Sequence, residues 1–287
     1  MELSTAIRVV VAAFVALSMS RRGLRKRSLD RSGAAAAFAV GSISLGVGYR
    51  FGLVLIAFYF SGSKLTNVKS DVKLRLDANY KIGGQRSAQQ VLACSLLATT
   101  LAVVYQWQFG SASDWHRVDL ETAPWRSRLL CSYIGHYACC AADTWASELG
   151  VLSKSAPRLI TTLRKVPPGT NGAVSLVGTA AAAAGGAFIG AVYFVLSLPF
   201  GSAQWQVIAL GAIMGTVGSA LDSLLGATLQ LTRFDPDAKT ICAEGEDATR
   251  TGTQHVSGSD VLTNAQVNAV SVVLTTALSA LVMERLM

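Results

Sequence analysis

Residues 173–230 read AVSLVGTAAAAAGGAFIGAVYFVLSLPFGSAQWQVIALGAIMGTVGSALDSLLGATLQ, and among all these positions only Asp222 is an Asp, Glu, Lys or Arg. A helix needs about 20 mostly apolar residues to cross roughly 30 Å of hydrocarbon. The stretch holds two such lengths, 173–198 and 205–230, with Pro199 between them. The same signature recurs on either side. No charged side chain occurs between Ala88 and Ser113, or between Val261 and Met283. A soluble core helix seldom runs so far without a charge, so the chain reads as an all-α, polytopic transmembrane helical bundle forming a single integral membrane domain over 1–287.

Eight spans follow, at about 4–20, 32–48, 50–62, 88–107, 128–152, 173–198, 205–230 and 263–283. The second and third are short and Gly-rich, and the first reads as a retained helix, not a cleaved leader. All six prolines fall between the apolar runs, where a missing N–H does least harm. With eight spans the basic segments 21–31, 63–87, 153–172 and 231–262 all fall on one face, the cytosolic one by the positive-inside rule. Trp107, Trp115, Trp125 and Trp205 lie towards the other face as an interfacial belt. Segment 231–262, with Asp235, Asp237, Glu244, Glu246 and Asp247, reads as a flexible polar loop without chemistry.

Composition removes other classes. Hydrophobic residues make up 51% of the chain and charged ones 15%. The net charge of +8 belongs to loops that orient the protein in the bilayer, and nucleic acid is not expected as a partner. The five cysteines form no C-x-x-C pair, so neither a disulfide framework nor a zinc site is indicated. Walker A, Rossmann and His-Glu-x-x-His patterns are absent.

Polar chemistry concentrates at the basic face. Two hairpins share a layout: Asp143-Thr144 followed by Thr170-Asn171-Gly172-Ala173-Val174, and Asp222-Ser223 followed by Thr263-Asn264-Ala265-Gln266-Val267. A third, Ser61–Thr66 returning through Gly84-Gln85-Arg86, has the layout without the Asp, so an internal helical-hairpin repeat is expected. Asp143 and Asp222 should lie roughly 12 Å below the surface at 1.5 Å per residue. Carboxylates cost free energy at that depth and mark function when they face the bundle interior. Glu148 lies nearer the surface. Thr170 and Thr263 read as N-caps, with Asn171 and Asn264 in the first turns that follow. Helix N-termini and the glycines at 169 and 172 suit a phosphate, and Lys64, Arg86, Arg164 and Lys165 supply cations. His136 is read as a buried polar contact in preference to a proton path. Carboxylates with phosphate-binding groups just above them suit a divalent metal carrying a nucleotide.

The run from Asp143 to Gly172, DTWASELGVLSKSAPRLITTLRKVPPGTNG, resembles the central signature of the integral membrane family known as domain of unknown function 92, which includes transmembrane protein 19. Lys73–Arg86 (KLRLDANYKIGGQR), Gly218–Gln230 (GSALDSLLGATLQ) and His255–Ser271 (HVSGSDVLTNAQVNAVS) fit further blocks in the same order. Cys94 stands where the pattern leads to Asn, Ser87-Ala88 replaces a bulkier pair, and Ala173 replaces Gly. Plant and cyanobacterial members of that family are phytyl-phosphate kinases. The resemblance therefore implies transfer of a phosphoryl group from a nucleoside triphosphate to an isoprenyl monophosphate in the lipid bilayer. Asp143 and Asp222 would be catalytic and, with Glu148, would hold Mg²⁺. Lys64, Arg86, Arg164, Lys165, Thr170, Asn171, Gly172, Asn264 and Asn268 would bind substrate. The competing expectations are a membrane transporter with intramembrane carboxylates and a non-catalytic membrane protein. The endoplasmic reticulum is expected over the plastid envelope.

Overall fold

The computed structural model describes residues 2–76, 83–110, 116–242 and 252–287. Trp115, Glu244, Glu246 and Asp247, named above for the interfacial belt or the loop, lie outside the described residues. The described helices are α1 (Glu2–Arg25), α2 (Arg31–Val47), α3 (Tyr49–Thr66), α4 (Ser70–Leu76), α5 (Ala88–Ala93), α6 (Leu96–Phe109), α7 (Pro124–Gly150), α8 (Leu176–Ser197), α9 (Gln206–Leu229) and α10 (Asn264–Leu286). Among the described residues three helical segments are long and apolar enough to cross a membrane: Leu176–Phe200, which adds a 3-10 turn to α8, Gln206–Leu229 and Asn264–Leu286.

Helix α7 is the axis of the molecule. Its side chains from Leu129 to Ala142 are almost all buried, and α8, α9, α10, α3 and α6 pack around it. Aromatic rings fill the centre. Phe51 stands edge-on to Tyr133 at 4.7 Å and to Tyr105 at 5.5 Å, and Tyr133 to Tyr137 at 5.2 Å. Such pairs add about 0.5–1.5 kcal/mol each beyond the area they bury. Between α8 and α9 the contact is backbone on backbone: a Cβ on Gly186 would run into the Gly211 carbonyl, and one on Gly190 into that of Val207. Small residues permit this approach, which replaces the hydrophobic drive that lipid removes.

The four basic segments meet at one end. Leu29 and Arg86 bridge in parallel, Lys73 reaches Glu148 at the end of α7, and the Asn171 N–H donates to Thr232 Oγ1 at 3.3 Å. The opposite end is closed by Arg50, 2% exposed, which donates to Ser197 Oγ at 3.0 Å and the His116 carbonyl at 2.9 Å.

Three expectations are corrected. The span 88–107 is broken at Cys94-Ser95 into α5 and α6. Ser95 turns its hydroxyl onto the Val91 carbonyl at 2.5 Å, and the Cys94 carbonyl is taken by His136 Nε2 at 2.9 Å and Cys140 Sγ at 3.7 Å. Helix 173–198 starts later than expected: Ser175, not Thr170, is the N-cap of α8, accepting from the Gly178 N–H. Thr170 instead donates to the Pro167 carbonyl at 2.7 Å, and Asn171 precedes a strand. Finally, the chain is not wholly α. Strands β1 (Arg158–Leu159) and β2 (Ala173–Val174) pair antiparallel, and β3 (Thr232–Asp235), β4 (Thr240–Ile241) and β5 (Gln254–Ser257) form a sheet in the order β4-β3-β5. That sheet orders both flanks of the segment read as a flexible loop. Val256 and Phe234 pack with Leu159, Val166 and Ala227 in a small core over the end of α9.

Candidate functional site

The basic end opens into a cavity of about 810 Å³, a size usual for small-ligand sites. Its position follows from glycines in α9. A Cβ on Gly215 would stand 3.0 Å from that of Ala142, and one on Gly218 would strike Cys139. Helices α7 and α9 therefore touch here, and four residues further on, on the same faces, come Asp143 and Asp222. Both line the cavity. Each lies seven residues from its helix end, Gly150 or Leu229, hence about 10 Å deep. Asp222 accepts from Ser271 Oγ of α10 at 3.0 Å. No described side chain hydrogen-bonds to the Asp143 carboxylate.

Arg86 enters from the other wall. Its backbone is held by the turn between α1 and α2, with the Arg86 N–H donating to the Ser28 carbonyl and the Asp30 N–H donating to the Arg86 carbonyl. Its guanidinium donates to Ser63 Oγ at 3.3 Å. Gly62 lies beside it: a Cβ there would make ordinary contact with a guanidinium nitrogen at 3.5 Å and press on Thr144 at 3.3 Å. Thr170, Asn171 and Gly172 form the rim. Gly172 needs its glycine twice over, since its φ is +73° and a Cβ would collide with the Ser223 carbonyl. Thr263 caps α10 through a reciprocal box with Gln266, as expected, and Asn264 and Asn268 in its first turns also line the cavity.

Other expected residues are placed elsewhere or otherwise engaged. Lys64 is exposed at the end of α3. Arg164 donates to the Val256 carbonyl, and Lys165 is exposed in a bridge with Arg158. None of these three lines the cavity. Glu148 does, but both oxygens are engaged: Oε1 accepts from Thr66 Oγ1 at 2.6 Å and Oε2 from Lys73 Nζ at 2.5 Å. Lys73, a cation of the basic segment 63–87, joins the site as well. It is 3% exposed, lines the cavity and also donates to the Leu65 carbonyl at 2.8 Å, at the negative end of α3. Its spacing in sequence does not set it apart from the other cations of 63–87. Cys94 reaches the cavity too.

Among the described residues no three His, Cys, Asp or Glu side chains lie together closely enough to hold a metal ion. Two carboxylates do share one wall. That donor set fits Mg²⁺, which is commonly held by one or two carboxylates and completes its shell with water and substrate phosphate.

Fold and site together define a helical membrane protein with a carboxylate-lined cavity open at its basic end. The chain belongs to the family described as integral membrane protein DUF92, whose model matches residues 14–276. It is 38% identical to Protein PGR of Arabidopsis thaliana, over 98% of both chains. It is 29% identical to an uncharacterised membrane protein of Methanocaldococcus jannaschii, over 79% of this chain and 86% of that one. It is also 28% identical to Protein VTE6, chloroplastic, of Arabidopsis thaliana, over 70% of this chain and 56% of that one. That chloroplastic name gives no support to the expected preference for the endoplasmic reticulum. No solved structure matches the chain.

Proposed function

We propose that the chain is a lipid-monophosphate kinase, transferring a phosphoryl group from a nucleoside triphosphate to an isoprenyl monophosphate of the phytyl type. The carrying observation is that Asp143 and Asp222, each about 10 Å inside the end of its helix, line one cavity together with Arg86. The family's phytyl-phosphate kinases support the choice of reaction. An oxygen of the lipid monophosphate forms a bond to the γ-phosphorus as the bond to the β,γ-bridging oxygen breaks, leaving the nucleoside diphosphate. Such transfer needs positioning and charge neutralisation more than a protein nucleophile. Asp143 and Asp222 would hold Mg²⁺, whose charge offsets that of the phosphates. Arg86 would donate to phosphate oxygens, as would N–H groups in the first turn of α10 by Asn264 and Asn268, while Thr170, Asn171 and Gly172 at the rim would shape the room for the phosphates. Lys64, Arg164 and Lys165, outside the cavity, would draw anionic substrates towards it.

The same reading takes the molecule across the bilayer eight times with its basic end in the cytosol, and treats the hairpins at 61–86, 143–174 and 222–267 as copies of one unit. The transporter alternative requires access from both faces. The Arg50 bonds and the aromatic core beyond the carboxylates argue for a site served from one face.

The test offers purified protein phytyl, farnesyl and geranylgeranyl monophosphates with each nucleoside triphosphate and Mg²⁺, and assays the diphosphate product. Asp143→Asn and Asp222→Asn should abolish turnover while the variants remain folded. Full activity in both would overturn the proposal.

A further inference from the structure

The cavity has a second part that phosphate chemistry does not use. Its wall there is apolar and comes from α1, α2 and α3, through Ala16, Ala37, Val40, Gly41, Leu45 and Leu55. On α2 these positions recur at three- to four-residue spacing, so one helix face lines the arm along its length. Counted from Arg31 at the basic end, Ala37 lies six residues in and Leu45 fourteen. At 1.5 Å per residue those are depths of about 9 Å and 21 Å. The arm therefore begins at the level of Asp143 and Asp222 and runs about 10 Å deeper. Leu45, 6% exposed, closes its far end, seated over Gly52, whose missing Cβ would otherwise strike the leucine side chain. Along one side α1 pinches the arm, since a Cβ on Gly41 would stand 3.3 Å from that of Ala16.

A nucleotide gains nothing from such a wall, whereas a hydrocarbon chain is matched to it. We propose that this arm holds the head-proximal part of the tail of a single-chain lipid monophosphate with its head at the two aspartates, and that Leu45 sets how much of the tail it takes in. The headgroup chemistry rests on the kinase reading; the tail site rests on the apolar wall and its continuity with the polar part. Ala37, level with the carboxylates, is the position where added bulk blocks the arm at its entrance. Leu45 is where lost bulk lengthens it.

The experiment uses the full chain in phosphatidylcholine nanodiscs with two readouts. The first compares kcat/KM for geranyl, farnesyl and geranylgeranyl monophosphates. Ala37→Phe should lower kcat/KM for all three by about 10-fold or more, and Leu45→Ala should raise the geranylgeranyl-to-geranyl ratio by a similar factor, since a methylene or more of pocket length discriminates on that order. The second treats the wild-type chain with a farnesyl monophosphate bearing a diazirine at the tail end and maps the adduct by peptide mass spectrometry. Adducts in 37–45 that farnesyl monophosphate competes away are the expected result, and this arm decides the matter if the variants fail to fold. Rates unchanged by Ala37→Phe and a ratio unchanged by Leu45→Ala, with adducts elsewhere, overturn the tail site even if turnover is robust. Competed adducts in 37–45 without any turnover keep the tail site and sink the kinase reading.

Discussion

At the residue scale the site is built from a few charges whose partners decide their use. Lys73 is buried yet bonded to Glu148, and the Thr66 hydroxyl and two carbonyls at the end of α3 complete the set. Removing one member of a buried pair leaves the other desolvated without compensation, at about 3–5 kcal/mol, whereas replacing both by apolar groups is often neutral. Glu148 is 18% exposed and so takes part of its solvation from water, which favours the lower end of that range. Glu148→Ala should therefore destabilise the purified protein by about 3 kcal/mol, seen as a lowered midpoint of thermal unfolding in detergent. The double variant Lys73→Met with Glu148→Leu should recover most of the loss. Equal losses in the single and double variants would show that the pair is not coupled. No spacing rule singles out Lys73, because its distinction is burial, and burial is set by how segment 67–76 folds back onto α7.

Helices and their ends were legible wherever a local signal is strong. Apolar runs free of charge but for Asp222 mark α8, α9 and α10, and Thr263 with Gln266 marks the start of α10. Legibility failed where a distant partner settles a local contest. Ser87 to Trp107 carries no charge or proline to suggest a break, yet the helix stops at Cys94 because His136, 42 residues away, takes its carbonyl. That carbonyl is otherwise left to a thiol, a weak donor. His136→Phe should accordingly cost about 1–3 kcal/mol through a buried unsatisfied acceptor, and amide hydrogen exchange should quicken at Ser95–Thr99 before it does in α7. Unchanged protection there would mean that the break between α5 and α6 stands without the histidine. The N-cap at Ser175 in place of Thr170 has a similar cause: β2 pairs with β1 and uses the residues between them as strand and turn.

At the scale of the whole molecule the charges set an orientation that can be measured. Single cysteines at Lys64, Lys165 and Lys239, in a background with Cys94→Ser and Cys242→Ser, should react with a membrane-impermeant maleimide from the same side of sealed vesicles. Cysteines at Arg126 and Trp205 should react only from the other. Labelling of the two groups from one side would remove the eight-crossing topology and, with it, a cavity facing one compartment. What the amino-acid order determined unaided is the membrane character, the main helices and the clustering of cations at alternate loops, because each depends on residues close together in the chain and on transfer from water to hydrocarbon. Only the tertiary structure decided which polar groups share a space. Asp143 and Asp222 meet because glycines at 215 and 218 let α9 lie against α7; Arg86 joins them because the α1–α2 turn grips its backbone. Lys64, Arg164 and Lys165, alike in charge, remain outside. A cavity wall is drawn from helices far apart in sequence, and no periodicity along one of them encodes what the next will place opposite.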